Sequence, residues 1–244
     1  MPDRLVFFAA GSLAAVLQDI CSRFEQTMGR PVDISFGPSG LMRKRIETGA
    51  RADLFASADM EHPRVLHRRG LAGRTRLFAR NELVAIVRAG IVVESDTLLE
   101  TLLDPDIRVG TSTPNADPSG DYAWRLFQKA GVIRPGAYET LDAKAQKLTG
   151  GSISAPVPGG RNLYGWMLEQ GRTDLFLTYR TNAVLAAREV TGLQVVEVPE
   201  ALCVGAEYGI TVMKNAPEQA TGLRDFILGS EGQAVLMEHG FGLP

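Results

Sequence analysis

The feature that most constrains the fold is a regular alternation along the chain between short apolar runs and longer amphipathic segments. The apolar runs have the length of β-strands, and the segments between them repeat apolar residues at helical spacing. Strands that alternate with helices form largely parallel sheets with helices on their faces. The pattern therefore predicts an α/β fold, with ligand sites at the carboxyl ends of the strands.

The alternation also predicts where the individual elements lie. Glycine follows several of the predicted helices, as at Gly29, Gly49 and Gly70, and glycine is the residue that most often ends a helix. Strands are predicted near residues 4–9, 32–36, 53–57, 82–87, 107–110, 174–178, 194–198 and 208–213, and helices near 13–28, 40–49, 60–69, 119–131, 138–148, 161–170, 180–190, 216–228 and 230–239.

The length of the chain, 244 residues, suits one large domain or two lobes of ordinary size. Two long connections, 74–87 and 199–208, interrupt the alternation, and both lead into apolar strands. If both cross between lobes, residues 1–80 and 205–244 form one lobe and residues 81–204 form the other, with a cleft between them. The loop over 150–160 is rich in Gly and Pro, and it is predicted to lead a helix starting at Arg161 into that cleft.

Composition excludes several functional classes. The formal net charge is −2, and no block of like charges provides a surface for nucleic acid or a membrane. No apolar run is long enough to span a bilayer, and no signal-peptide core precedes the first strand. The location therefore stays open between the cytoplasm and an exported protein whose leader has been trimmed. The two cysteines, Cys21 and Cys203, are predicted to be free thiols.

Two serines stand where a strand passes directly into a helix. Ser12 follows the strand that ends at Ala10, and Ser39 follows the strand that ends at Phe36. A serine at a helix N-terminus places its hydroxyl beside unpaired backbone N–H groups and the positive end of the helix dipole. Each serine could be a helix cap alone, but two such turns side by side form a site for a small oxyanion.

Several segments together resemble the periplasmic molybdate-binding proteins of ABC transporters. The resemblance spans residues 5 to about 240 in the family's order. It rests on Phe8-Ala9-Ala10-Gly11-Ser12-Leu13, Phe36-Gly37-Pro38-Ser39-Gly40, the segment from Gly49 to Asp59, Asp117-Pro118-Ser119-Gly120-Asp121-Tyr122-Ala123, and Leu177-Thr178-Tyr179.

The resemblance implies a two-lobed type II periplasmic binding fold that closes on a tetrahedral oxyanion. It implies molybdate or tungstate as the ligand, a membrane permease as the partner, a periplasmic location, a monomer and no cofactor. The residues that match the family's ligand contacts are Ser12 and Ser39 through hydroxyl and backbone N–H, Ser119 and Arg161 through backbone N–H, and Tyr179 through its hydroxyl. Neutral N–H and O–H donors suit a buried dianion, because each oxygen needs a hydrogen-bond donor.

Two of these positions depart from the family pattern. Ser119 replaces a small alanine, and Arg161 replaces a small apolar residue. An arginine in the cleft would favour a planar carboxylate, so a binder of an organic carboxylate is an alternative. A further alternative is the effector-binding domain of a cytoplasmic regulator, although the chain has no DNA-binding helix pair or basic arm.

Catalysis and a metal site are not supported by the sequence. His62 and His67 are five residues apart on a predicted helix, so they face different directions, and His239 is distant in sequence. No Gly-x-Ser-x-Gly elbow, Walker loop or dinucleotide-binding glycine motif is present. The chain is therefore predicted to be a solute-binding protein and not an enzyme.

Overall fold

The computed structural model describes residues 4–150 and 158–244. The chain divides into two compact units. Unit 1 comprises Met1–Asn81 and Ala206–Pro244, and unit 2 comprises Glu82–Gly205. The lobe boundaries expected from the sequence lie within a residue or two of these.

Unit 1 contains three parallel strands with an antiparallel strand beside them. β1 (Leu5–Ala10) lies between β2 (Val32–Gly37) and β3 (Leu54–Ser57) and is parallel to both. β9 (Gly205–Val212) is antiparallel to β3. Because parallel strands end at the same edge of a sheet, the residues that follow β1, β2 and β3 lie along one edge.

Unit 2 repeats this arrangement. β5 (Val109–Ser112) lies between β6 (Gln146–Thr149) and β7 (Leu175–Tyr179) and is parallel to both. β4 (Arg76–Val87) is antiparallel to β7, and β8 (Gln194–Glu197) is antiparallel to β4. The carboxyl ends of β5, β6 and β7 therefore form an edge of their own in unit 2.

Helices cover these sheets. In unit 2, Leu83 and Ala85 of β4 pack in one apolar cluster with Phe127, while Val84 and Ile86 pack in another. Since alternate residues of a strand point to opposite faces, both faces of the strand are buried. The helices of the described residues are α1 (Ala14–Met28), α2 (Ser39–Glu47), α3 (Glu61–Arg68), α4 (Leu98–Leu103), α5 (Pro118–Ile133), α6 (Ala137–Lys144), α7 (Leu163–Glu169), α8 (Arg180–Glu189), α9 (Glu218–Leu228) and α10 (Ser230–Glu238).

Three segments differ from the sequence-based expectation. The helix predicted over 138–148 ends at Lys144, and the residues after it form β6 because they pair with β5. β4 begins at Arg76, inside the stretch predicted as a connection, and the short helix α4 was not predicted. The other predicted strands and helices are present, with ends displaced by a few residues.

Other expectations concern the loop, the thiols and membrane spans. The loop predicted over 150–160 includes residues 151–157, which lie outside the described residues. Cys21 and Cys203 are free thiols, as predicted. Within the described ranges, no helix is long and apolar enough to cross a membrane.

Candidate functional site

In unit 1, the two serine turns follow adjacent strands and lie at the same edge of the sheet. Ser12 is exposed in the 3-10 turn Gly11–Leu13, directly after β1, and Ser39 is the first residue of α2. The last residues of β1 and β2 are register partners, Ala10 with Gly37. The pairing of the two strands therefore brings both serine turns to one edge of unit 1, as the sequence predicted.

Ser39 is oriented by the turn that follows β3. Its Oγ accepts a hydrogen bond from the backbone N–H of Ala58 at 3.2 Å. An oxygen that accepts from a backbone amide keeps its own proton for another acceptor. The backbone N–H groups of Leu41 and Met42 already donate to the Pro38 carbonyl. The N–H groups of Ser39 and Gly40, at the very start of α2, have no acceptor within the helix and are the backbone donors left for a ligand.

Ser12 contacts a residue that the sequence analysis did not identify. Its Oγ lies 3.2 Å from the phenol oxygen of Tyr208, which is buried on β9. The two residues are separated by 196 positions in the chain. No local pattern around Tyr208 distinguishes it from an ordinary core tyrosine, so the sequence held no signal for this contact.

The histidines do not form a metal site. His62 Nε2 lies 3.5 Å from Asp59 Oδ2, and His239 Nε2 lies 3.5 Å from Asp19 Oδ2. His67 Nδ1 lies 3.2 Å from the carbonyl oxygen of Ala72. In the part of the chain that the structure describes, no three His, Cys, Asp or Glu side chains are grouped so that they could hold a metal ion.

In unit 2, the strand ends carry a cluster of buried hydroxyl groups. Ser112 Oγ lies 2.7 Å from Thr149 Oγ1, and Ser119 Oγ lies 2.8 Å from Ser112 Oγ. Asn182 Nδ2 donates to Thr178 Oγ1 at 3.0 Å. Ser112, Thr149 and Thr178 stand at the carboxyl ends of β5, β6 and β7, so the parallel pairing assembles the cluster.

Tyr164 joins this cluster from α7. Its phenol oxygen accepts a hydrogen bond from Asn182 Nδ2 at 3.2 Å. Burial raises the pKa of Tyr164, and the charge of Asp117 acts in the same direction, whereas hydrogen bonds from Thr178 and other hydroxyls oppose it. The phenol therefore stays neutral over the physiological pH range. The hydroxyl groups of the cluster, the phenol included, are thus all uncharged.

Ser119 is engaged within unit 2. It lies in the first turn of α5, and its backbone N–H donates to Oδ1 of the helix-capping residue Asp117 at 2.9 Å. Ser119 as a whole is 1% exposed, and its Oγ also lies 2.8 Å from Asp117 Oδ1. The N–H group predicted to bind the ligand is thus bonded to a carboxylate of the chain itself. A ligand at this position would have to share or replace that bond.

Gly120, which follows Ser119, is required at its position for steric reasons. A Cβ atom at Gly120 would lie 2.7 Å from the carbonyl oxygen of Ser112 and 2.8 Å from the nitrogen of Pro114. Only glycine lets the start of α5 approach the end of β5 this closely. The Pro118-Ser119-Gly120 turn in the sequence therefore encodes close packing of a helix start on a strand end.

Arg161 precedes α7 instead of starting it. The helix begins at Leu163, two residues later than predicted, and the Asn162 side chain caps it. The Arg161 guanidinium forms ion pairs with Glu189 at 2.5 Å and Glu169 at 2.8 Å, and its backbone N–H donates to the Pro158 carbonyl at 3.1 Å. The hydrogen bonds that the guanidinium donates to Glu189 and Glu169 raise its pKa. Its charge and its N–H group are both engaged inside unit 2.

Tyr179 ends β7 and stands immediately before α8. It is half-buried, and its ring packs edge-to-face on Tyr122 with 5.8 Å between the ring centroids. A ring held in this way directs its hydroxyl with little rotational freedom. Its contact with a ligand stays a prediction.

Comparison with known proteins decides the family. The profile of the bacterial extracellular solute-binding proteins matches residues 5–242, which is nearly the whole chain. The chain belongs to this family. Family membership confirms the predicted role in solute binding and the prediction that the chain is not an enzyme.

Relatives of this solute-binding protein include molybdate-binding proteins. It is 36% identical over 235 residues to an uncharacterized protein of Pasteurella multocida, with 96% of each chain covered. It is 28% identical over 249 residues to the molybdate-binding protein ModA of Escherichia coli, covering 98% of this chain and 88% of that one. The resemblance to the molybdate-binding proteins, which rests on several segments along the sequence, is therefore confirmed.

Solved structures confirm the fold class. The substrate-binding domain assigned to a molybdenum ABC transporter of Clostridium difficile superposes with a TM-score of 0.80 at 21% identity, with 99% of each chain covered. The periplasmic molybdate-binding protein of Azotobacter vinelandii superposes with a TM-score of 0.66, also at 21% identity, covering 99% of this chain and 100% of that one. The solute-binding protein thus has the α/β fold that the sequence predicted.

Proposed function

We propose that this solute-binding protein captures a tetrahedral oxyanion, molybdate or tungstate, for import by an ABC transporter. The observation that carries the proposal is the pair of serine turns, Ser12 and Ser39, which the parallel strands β1 and β2 bring to one edge of unit 1. The relatives named as molybdate-binding proteins support the same ligand class. A periplasmic location and delivery to a membrane permease follow from that class.

The donors in unit 1 suit a dianion for a physical reason. Ser39 has its oxygen occupied by the Ala58 amide, so its proton is free to donate to an oxyanion. The helix start adds N–H groups and a positive dipole end, which favour negative charge without a counter-ion. Hydrogen bonds to a charged acceptor are also stronger than those between neutral groups.

The alternative ligand, an organic carboxylate, depends on Arg161. The observed contacts of Arg161 weigh against that alternative. Its guanidinium is paired with Glu169 and Glu189, so a ligand carboxylate would have to compete with two carboxylates of the chain. Membership in an extracellular solute-binding family favours transport over the role of a cytoplasmic regulator. We therefore retain the oxyanion as the proposed ligand, and keep the backbone N–H groups of Ser119 and Arg161 and the hydroxyl of Tyr179 as predicted contacts.

Isothermal titration calorimetry of the full chain tests the proposal. Molybdate, tungstate, sulfate, phosphate and two organic carboxylates, citrate and malate, are titrated under the same conditions. We expect molybdate and tungstate to bind most tightly and the carboxylates to bind weakly. Tightest binding of a carboxylate would overturn the oxyanion assignment and favour the alternative, and binding of sulfate alone would overturn molybdate as the ligand.

A further inference from the structure

Tyr208 links β9 to the Ser12 turn across the end of another strand. In the sheet, β3 lies between β1 and β9, so the Tyr208 side chain extends past β3 to reach the turn that follows β1. Its phenol oxygen lies 3.2 Å from Ser12 Oγ, while Tyr208 as a whole is only 2% exposed. Ser12 itself is exposed, so the contact joins a buried phenol to a hydroxyl at the surface of unit 1.

The ring of Tyr208 is held by two other aromatic rings. Phe78 and Phe241 pack edge-to-face on it, with centroid distances of 6.4 Å and 5.5 Å. These contacts involve only the ring, so phenylalanine at position 208 would preserve them. The hydroxyl is the one feature of Tyr208 that the ring packing does not require, and the Ser12 side chain lies next to it.

The direction of the hydrogen bond follows from what Ser12 must do in the proposed site. A serine hydroxyl has one proton, and it can donate to an anion only if its other partner donates to it. The Tyr208 phenol has a proton to donate, and a chain of hydrogen bonds that ends on an anion strengthens along its length. Ser39 has an equivalent arrangement, because the Ala58 amide donates to its oxygen.

We propose that Tyr208 is a positioning residue for anion binding, which donates to Ser12 Oγ and thereby directs the Ser12 proton to the ligand. The inference rests on the proposed function, because it assigns Ser12 a role as a donor to an oxyanion. Tyr208 itself does not contact the anion in this arrangement. Its contribution should therefore exist only while Ser12 carries a hydroxyl.

A double-mutant cycle tests this dependence. Wild type, Tyr208→Phe, Ser12→Ala and the double variant are each titrated calorimetrically with molybdate, tungstate, sulfate and phosphate. We expect Tyr208→Phe to weaken binding of the tightest anion roughly three- to tenfold in the wild-type background. In the Ser12→Ala background, the same substitution should leave the affinity unchanged. Tyr138→Phe on α6 of unit 2 is the matched control, and it should bind as the wild type does.

Thermal unfolding of each variant shows that the fold is retained. Unchanged affinity of Tyr208→Phe in the wild-type background would overturn the inference and leave the proposed function intact. An equal loss in both backgrounds would also overturn it, because Tyr208 would then act independently of Ser12. A wild type that binds none of the four anions would overturn the proposed function itself, and this inference with it.

Discussion

At the scale of single residues, anion binding is expected to depend on the hydroxyl groups of Ser12 and Ser39. We predict that Ser12→Ala and Ser39→Ala each weaken oxyanion binding about ten- to a hundredfold, because each removes a hydrogen bond to a charged group worth roughly 1.5–3 kcal/mol. Calorimetric titration of each variant measures the loss. Ser22→Ala, at an exposed serine of α1 in the same unit, is the matched control and should bind normally. Wild-type affinity in both variants would contradict the site.

Arg161 is the residue at which sequence and structure suggest different roles. We predict that Arg161→Ala leaves oxyanion affinity unchanged, because the guanidinium is paired with Glu169 and Glu189. These pairs are partly exposed and screened by solvent, so their loss should lower the free energy of unfolding only slightly. Calorimetry and chemical denaturation of the variant give the two values. A large loss of affinity would instead place Arg161 at the ligand.

At the scale of a single element, the start of α5 depends on one carboxylate. Asp117 Oδ1 accepts the backbone N–H of Ser119, which is the capping bond of the helix. We predict that Asp117→Ala lowers the free energy of unfolding by about 1 kcal/mol, whereas Asp117→Asn keeps most of the stability because asparagine caps helices equally well. Urea denaturation of both variants measures the difference. Equal destabilisation by both substitutions would show that the charge, and not the cap, is responsible.

A second element-scale feature is shared by β3 and β7. Each strand is preceded by a buried aspartate and starts with Leu-Phe, in Asp53-Leu54-Phe55 and Asp174-Leu175-Phe176. Asp53 accepts the backbone N–H of Val6 at 2.8 Å, and Asp174 accepts that of Arg108 at 2.9 Å. Both aspartates thus tie the beginning of one parallel strand to its neighbour, at the amino-terminal edge of the parallel strands in their own unit. Similar short segments perform the same structural task in the two units.

For the molecule as a whole, Asp174 makes the free energy of unfolding depend on pH. Hydrogen bonds from Arg108, supported by Arg88, hold the pKa of Asp174 well below its usual range. A carboxylate whose pKa is lowered on folding stabilises the protein above its unfolded pKa near 4, and this contribution is lost as the pH falls towards the folded value. We predict that Asp174→Asn costs about 3 kcal/mol at neutral pH and progressively less below about pH 4. Denaturation of both proteins from pH 2 to 7 checks this, and a cost that does not depend on pH would contradict it.

What the sequence determined by itself are the features encoded within a few neighbouring residues. The alternation of apolar runs and amphipathic segments predicted the α/β class and most strands and helices, because periodicity reflects which face of an element is buried. The serine turns at Ser12 and Ser39 were also predictable, since a strand that passes directly into a helix places the serine at a helix start.

Only the tertiary structure decided which groups each side chain meets. Residues 146–149 form a strand because β5 lies beside them, although their own pattern does not indicate one. The pairing of Arg161 with Glu189 joins residues 28 positions apart. Tyr208 reaches Ser12 over 196 positions because the sheet order places β9 near β1. Contacts between distant residues arise from strand pairing and packing, which local periodicity does not encode.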